Sequence, residues 1–337
     1  MNSWLQKQWL TYSLWHVLLM PLSWLFYALS SIRKFLFQVN ILKSHSLPVP
    51  VIVIGNITVG GTGKTPLVIW LAGQLQLAGY KPGIISRGYG GSAQQTQAVF
   101  ADSSPTEVGD EPVLLAVRTH CPVYVNANRV EAGKALLKAH PECDVIISDD
   151  GLQHYRLQHD VEIVVIDGAK GFGNGALLPA GPLREPTSKL AHVDAIVING
   201  GLQKALPIKV APSVDMQFKS GSFYNLIDSN KTCGAEEFAN QKVLVVAGIG
   251  NPERFFQQLQ QMGLHFESKA YPDHHAFSAA DFALETADVI LMTEKDAVKC
   301  RAFAKPNFWV LPVNAVVKSD LMAIIVNKLK KSRLSNG

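Results

Sequence analysis

Residues 51–65 read VIVIGNITVGGTGKT. Gly60, Gly61 and Gly63 let a backbone turn tightly and aim its N–H groups at phosphate oxygens. Lys64 has the reach and charge to meet the β- and γ-phosphates of a nucleotide, and the Thr65 hydroxyl can hold Mg²⁺. With Thr58, Val59 and Thr62 these residues make 58–65 a candidate nucleotide cradle. The segment departs from the usual pattern. G-x-x-x-x-G-K-[ST] asks for glycine where Thr58 stands, and the form that opens on Lys-Gly-Gly is missed because Val59 holds the lysine position.

Other clusters could carry chemistry beside a nucleotide. Asp149 and Asp150 end the run DVIIS, where a carboxylate could hold a metal directly or through water. They could equally cap a turn. Gln153 and His154 come shortly after. Gly109-Asp110-Glu111-Pro112 reads as a loop entering a helix, with acids that suit the dipole. Either acid could accept a hydroxyl proton, and spacing does not choose between them. In SRGYGG, Arg87 offers planar donors for phosphate and Tyr89 an aromatic face for a sugar. In PAGPLREP, Arg184 could neutralise a transferring phosphoryl group and Glu185 could join a metal shell; a surface ion pair would also explain them. Asp273-His274-His275 could orient a base. Lys295 or Asp296 of TEKD could read a nucleotide base, or simply begin a helix.

These residues need elements to place them. Residues 51–54 form a β-branched apolar run suited to a buried parallel strand, and the stretch from Pro66 has helical spacing, so the loop opens a helix where anions bind well. Segments 83–86, 122–125, 144–148, 161–167 and 194–199 read as further core strands separated by helices. The alternation predicts a mostly parallel sheet with helices on both faces. Alternating residues around Lys-Ser-Gly-Ser at 212–228 predict a hairpin that joins two domains. Strands at 242–249 and 288–293 and a helix from Pro252 predict a second, smaller α/β unit. The expected domains are 1–35, an N-terminal membrane-associated helix; 36–210, the nucleotide core; 211–230, the linker; and 231–337.

With 337 residues, 47% hydrophobic and 17% charged, the chain has the composition of a globular protein with a large core. A net charge of +4 is too small to argue for nucleic acid, and suits an acidic membrane surface or a phosphorylated substrate. No obligate protein partner is evident. Cys121, Cys143, Cys233 and Cys300 lack metal-site spacing and read as reduced thiols. From Gln8 to Ile32 there is no Asp, Glu, Lys or Arg, a length sufficient for a bilayer core. Polar residues, including Thr11, Ser13, His16 and Ser23, dilute it, and Pro21 would kink it. Trp4, Trp9, Trp15, Trp24, Tyr12 and Tyr27 suit a lipid–water boundary, and Arg33, Lys34 and Lys43 place the downstream domains on the cytoplasmic side. A core helix is the alternative.

The ordered set GNITVGGTGKTP, SRGYGG, VGDEP, SDDGLQH, PAGPLREP, YPDHHAF and TEKDAVK, behind an apolar N-terminal helix, resembles the tetraacyldisaccharide 4′-kinase family of lipid A biosynthesis over nearly the whole chain. The TVGGTGKTP form accounts for Thr58. The resemblance implies a P-loop NTPase-like α/β fold, a smaller α/β domain on a two-stranded linker, ATP and Mg²⁺ as cofactors, a lipid disaccharide 1-phosphate as acceptor, and a site on the cytoplasmic face of the inner membrane. It implies Asp110 as base, paired with His274 and backed by Asp273; because the two fall in different expected domains, domain closure is expected to bring them together. It further implies that Lys64, Asp149 and Arg184 serve catalysis, Thr65, Asp150 and Glu185 the metal, and Arg87 and Tyr89 the substrate. Another P-loop phosphotransferase and a membrane-anchored nucleotide switch remain as competing readings.

Overall fold

The computed structural model describes residues 8–9, 14–202, 211–318 and 320–335. Trp4, Thr11, Tyr12 and Ser13 lie outside the described residues. In chain order the main elements are α1 (Leu14–Gln38), β1 (Val51–Gly55), α2 (Lys64–Leu77), β2 (Pro82–Ser86), β3 (Gln97–Val99), α3 (Pro105–Val108), α4 (Asp110–Thr119), β4 (Val123–Val125), α5 (Arg129–Ala139), β5 (Val145–Asp149), β6 (Val161–Asp167), β7 (Ala195–Asn199), β8 (Ser213–Ser220), β9 (Phe223–Asn225), β10 (Thr232–Cys233), β11 (Val243–Ala247), α6 (Pro252–Gln261), β12 (Glu267–Ala270), β13 (Val289–Thr293), α7 (Glu294–Cys300), β14 (Phe308–Leu311), β15 (Val313–Val317) and α8 (Asp320–Ser335). Backbone contacts divide the chain into two units, one of residues 1–87, 126–217 and 315–337, the other of 88–125 and 218–314.

In the first unit β8, β7, β6, β1, β5 and β2 lie side by side in that order, every pair parallel. β1, β5, β6 and β7 are buried along their whole length, the burial pattern of parallel strands covered on both faces. Ile54 registers with Asp149, so the loops leaving β1 and β5 emerge at one edge. Ligands of open α/β sheets bind at this carboxyl edge.

The second unit has the strand order β10–β9–β14–β13–β11–β12, with β14, β13, β11 and β12 parallel and β9 antiparallel to β14 and β10. Alternate residues feed two cores. Val243, Val245, Val289 and Leu291 pack with Phe255, Phe256 and Leu259 of α6, while Leu244, Val246, Ile290 and Met292 pack with Phe277 and Phe282. The loop after β12 carries His274, and α7 begins directly after β13.

Two expectations change. Residues 88–125, assigned from sequence to the nucleotide core, group instead with 218–314. Arg118 of α4 is paired with Glu294 and donates to Asn314 Oδ1 at 2.6 Å, tying α4 to α7 and its surroundings. The hairpin expected over 211–230 is two strands with different partners: β8 registers with β7, whereas β9 registers with β14 and β10. The unit boundaries at 217/218 and 314/315 fall inside β8 and β15.

α1 is amphipathic in reverse. His16 and Ser23 are buried, and Ser23 Oγ donates to Leu177 O (2.9 Å) and accepts from Ala180 N (3.0 Å). Leu18, Leu22, Trp24 and Leu25 are exposed. Two of the polar residues that dilute the hydrophobic stretch, His16 and Ser23, thus lie on its buried face, and Pro21 lies within the helix. A core helix would turn its leucines inward.

Candidate active site

In the first unit, Gly63 stands at φ 97° immediately before α2, a left-handed conformation open to glycine, and Lys64 and Thr65 form the first turn of the helix. The helix N-terminus therefore faces whatever occupies the loop. Asn56 Nδ2 donates to Gly60 O (3.2 Å) and Asn199 Nδ2 to Thr62 O (3.1 Å), fixing the loop from both sides. Thr58 and Thr62 are buried. Val59 N donates to Pro182 O (2.8 Å), and Arg184 N to Ile57 O (2.7 Å). This pairing brings the PAGPLREP segment beside the cradle, which spacing alone could not show.

Lys64 Nζ lies 3.4 Å from Asp150 Oδ1, and Arg184 Nη1 lies 3.5 Å from Asp150 Oδ2. Burial pushes the Asp150 carboxyl up, but Lys64 and Arg184 outweigh it and hold it below the usual value. Asp150 adopts φ 46°, which turns it out of the strand direction. Asp149 is only 2% exposed and belongs to the strand end. Glu185 is equally enclosed: Gln153 Nε2 donates to its Oε1 (2.8 Å) and Tyr155 Oη to its Oε2 (3.1 Å). The surface ion pair considered for Arg184 and Glu185 does not form, because Arg184 turns to Asp150 and Glu185 to Gln153 and Tyr155.

Arg129, at the start of α5, is not marked by the sequence, where 127–140 reads only as a helix. Its guanidinium is buried and donates toward the carbonyls of Asp149 and Asp150 at 3.5 Å. Asn128 caps α5, which fixes Arg129 in its first turn, but no spacing rule marks it as part of the site. Burial lowers its pKa to about 10. His154 Nε2 accepts from Arg129 N (3.3 Å). Burial, then the charges of Arg129, Arg33, Arg156 and Arg87, push His154 down to about 4, so it is neutral at physiological pH.

In the second unit the sequence leaves Asp110 and Glu111 undivided; the structure separates them. Asp110 is 4% exposed, and His274 Nδ1 lies 3.0 Å from its Oδ2 and 3.1 Å from its Oδ1. Glu111 instead accepts from Lys295 Nζ at 3.1 Å. Gly109 at φ 91° makes the turn into α4; a side chain there would also strike Tyr89 O. Burial pushes the Asp110 carboxyl up, but the His274 hydrogen bond and the charges of Lys295 and Lys299 bring it below the usual carboxylate value. The same bond raises His274 above 6.5 against burial and Lys295. The Tyr89 ring is 66% exposed and meets the His274 ring edge-on at 5.2 Å.

The Asp110–His274 pair therefore lies within one unit and needs no closure between separate domains to form, contrary to the sequence expectation. Asp273 is less central than expected: its Oδ1 is 3.9 Å from His274 Nε2, on the ring edge away from Asp110. His275 stacks on Tyr271 with ring centroids 4.6 Å apart and pairs with Asp281, so the two histidines serve different partners. Asp296 cannot read a base. It is fully buried, accepts from Gly248 N (3.1 Å) and pairs with Lys299 (2.7 Å), while Thr293 caps α7.

Comparison with known proteins gives the family. The family model LpxK, tetraacyldisaccharide-1-P 4'-kinase, matches residues 15–330. The tetraacyldisaccharide 4'-kinase of Methylobacillus flagellatus is 51% identical over 98% of this chain and 97% of its own. That of Dechloromonas aromatica is 50% identical over 97% of each. The crystal structure of LpxK from Aquifex aeolicus in complex with ATP superposes with a TM-score of 0.79 at 29% identity, covering 94% of this chain and 100% of that one. A glycine-rich cradle at a helix N-terminus, a buried carboxylate–imidazole pair and a family match across both units lead to one assignment: the chain belongs to the tetraacyldisaccharide-1-P 4'-kinase family.

Proposed function

We propose that the chain transfers the γ-phosphoryl group of ATP to the 4′-hydroxyl of a tetraacyldisaccharide 1-phosphate, a step of lipid A biosynthesis. The observation that carries this reading is the buried Asp110 carboxylate bonded to His274 at 3.0 Å. A nucleotide switch has no need of an ionised base outside its phosphate loop. A kinase must take the proton of the attacking hydroxyl, and a positioned base does so.

In this reading Asp110 accepts the 4′-hydroxyl proton, and His274 donates Nδ1–H to orient the carboxylate. The α2 N-terminus and Lys64 hold the β- and γ-phosphates, and Arg184 offsets charge on the transferring group. Asp150 keeps Lys64 and Arg184 aligned through the contacts of 3.4 and 3.5 Å, while Asp149 anchors the strand end behind it. The donor set of Thr65, Asp150 and Glu185 fits Mg²⁺. All are hard oxygens, Asp150 is ionised, and each Glu185 oxygen retains a lone pair beyond the bond it accepts. Those residues would hold the ion, which would neutralise phosphate charge when bound. Arg87, whose charge adds to those around His154, suits the substrate 1-phosphate. Tyr89, exposed beside His274, suits a sugar face.

The same reading puts the protein on the cytoplasmic face of the inner membrane. α1 is long and apolar enough to cross a bilayer, and its outward leucines and tryptophans support burial in lipid. A groove of ≈ 290 Å³ beside it, lined by Met20, Trp24, Tyr27, Leu177 and Leu183 among others, offers an apolar wall to an acyl chain. The test is to incubate the protein in detergent micelles with ATP labelled in its γ-phosphate and the lipid disaccharide 1-phosphate. Label in the lipid supports the kinase; label released only as inorganic phosphate favours the switch.

A further inference from the structure

We propose that Lys295 is a positioning residue that sets the tautomer of the neutral His274 imidazole, with its proton on Nδ1 facing Asp110 and a bare Nε2 facing the lysine ammonium, and that it opposes a second proton on the ring. This rests on the reading of Asp110 and His274 as the hydroxyl-activating pair.

The geometry is specific to the two ring nitrogens. An ionised carboxylate has only acceptors, so Asp110, at 3.0 and 3.1 Å, requires a donor at Nδ1. A lysine ammonium has only donors, so Lys295 Nζ, 3.4 Å from Nε2, requires an acceptor there. Both demands are met by one tautomer, and a second proton on Nε2 would face a cation. Lys295 is itself held by Glu111 Oε1 at 3.1 Å and Asp273 Oδ1 at 3.6 Å, and its side chain is 18% exposed. These carboxylates and Asp110 raise its pKa although burial lowers it, so it stays charged.

The groups around the imidazole are Asp110 and Glu111 of α4, Asp273 on its own loop, Tyr89 across the ring, and Lys295 and Lys299 of α7. Of the cations, Lys299 contacts the carboxylate, 3.9 Å from Asp110 Oδ2. Lys295 addresses the ring. Without it, Nε2 faces Asp273 at 3.9 Å and the doubly protonated ring is favoured. An imidazolium would hold the Asp110 charge in an ion pair and make that carboxylate a weaker base.

The experiment compares wild type, K295M and K295R as full chains in micelles, with histidine side chains isotopically labelled and His274 assigned by its loss in H274Q. The expected K295M result is a His274 titration moved upward by about one unit. The acid limb of kcat should move with it, and kcat near neutrality should fall roughly tenfold or more while KM for ATP is unchanged. K295R should restore both the titration and most of the turnover. ATP binding and the thermal transition report folding. An unchanged His274 titration and tautomer in K295M would overturn the proposal, as would K295R behaving like K295M in both readouts. The ring titration is independent of turnover, so failure of the kinase reading would show separately, as no transfer to the lipid by wild type, and failure of the pair reading as full activity in H274Q.

Discussion

Replacing Asp110 by Asn keeps the shape of the side chain and removes its charge. In the folded protein this leaves Lys299, 3.9 Å from the lost carboxylate, and Lys295 without a countercharge they now share, and it offers His274 Nδ1 a neutral partner in place of an anion. The base itself disappears. Positioned bases contribute on the order of 10²–10⁴-fold, or about 3–5 kcal/mol of barrier, and turnover of Asp110→Asn should fall in that range. His274→Ala removes the donor that orients both carboxylate oxygens and should fall nearly as far. Because the two side chains act as one hydrogen-bonded unit, the double variant should be little worse than the more damaging single one. ATP affinity should survive in all three, since neither residue belongs to the phosphate loop. The assay is steady-state transfer to micellar acceptor, with nucleotide binding measured separately. Fully multiplicative losses would refute the pairing, and loss of ATP affinity in Asp110→Asn would move Asp110 to the nucleotide or metal site.

Lys64→Ala should lower turnover by about 10²-fold or more, the usual loss of one electrostatic stabiliser, and near-normal turnover in a folded variant would remove the loop assignment. Glutamates in place of the exposed Leu18, Leu22 and Leu25 should shift the protein from membranes to the soluble fraction without lowering its melting temperature, since these side chains lie outside the packed face of α1; unchanged sedimentation would point to another anchor. A Cβ at Gly55 would sit 2.6 Å from Leu152 Cβ, so Gly55→Val should destabilise the fold by about 1–3 kcal/mol in denaturant titration. The Asp110–His274 pair also predicts opposite pH effects on stability. His274 is raised above 6.5, so its contribution is full below that pH and is lost as pH rises through the folded value. Asp110 is lowered from 3.8, so its contribution is present above that pH and is lost as pH falls through the folded value. Relative to His274→Gln, wild type should therefore lose stability on passing from about pH 6 to pH 9; a flat difference would contradict the bond.

The phosphate loop is legible in the sequence because its chemistry is local. Glycines, Lys64 and Thr65 occupy consecutive positions between a strand and a helix, and backbone geometry comes from them directly. Strands such as β6 and β7 are equally plain from their β-branched stretches, Ile163 to Ile166 and Ile196 to Ile198. Spacing could not show which distant loop meets which. Arg184 and Glu185 reach the cradle only through the pairing of Ile57–Val59 with Pro182–Arg184. Asp110 is separable from Glu111 only once α4 lies against α7, where one acid meets His274 and the next meets Lys295. Arg129 carries no sequence signal, since a buried arginine at the start of a helix reads like any surface one. The division of the chain is hidden for a related reason: residues 88–125 continue the strand–helix alternation of the first unit, and their packing with 218–314 is a tertiary fact.

The most direct measurement of the proposed chemistry is the position of the phosphate in the product. The purified protein, ATP and Mg²⁺ would be incubated with tetraacyldisaccharide 1-phosphate in micelles, and the lipid product examined by phosphorus–proton correlation NMR. The expected spectrum contains the original 1-phosphate and one new phosphomonoester, coupled to the proton at carbon 4′ of the distal sugar. A new phosphate coupled to any other position, or a lipid returned unchanged while ATP is hydrolysed, would contradict the assignment.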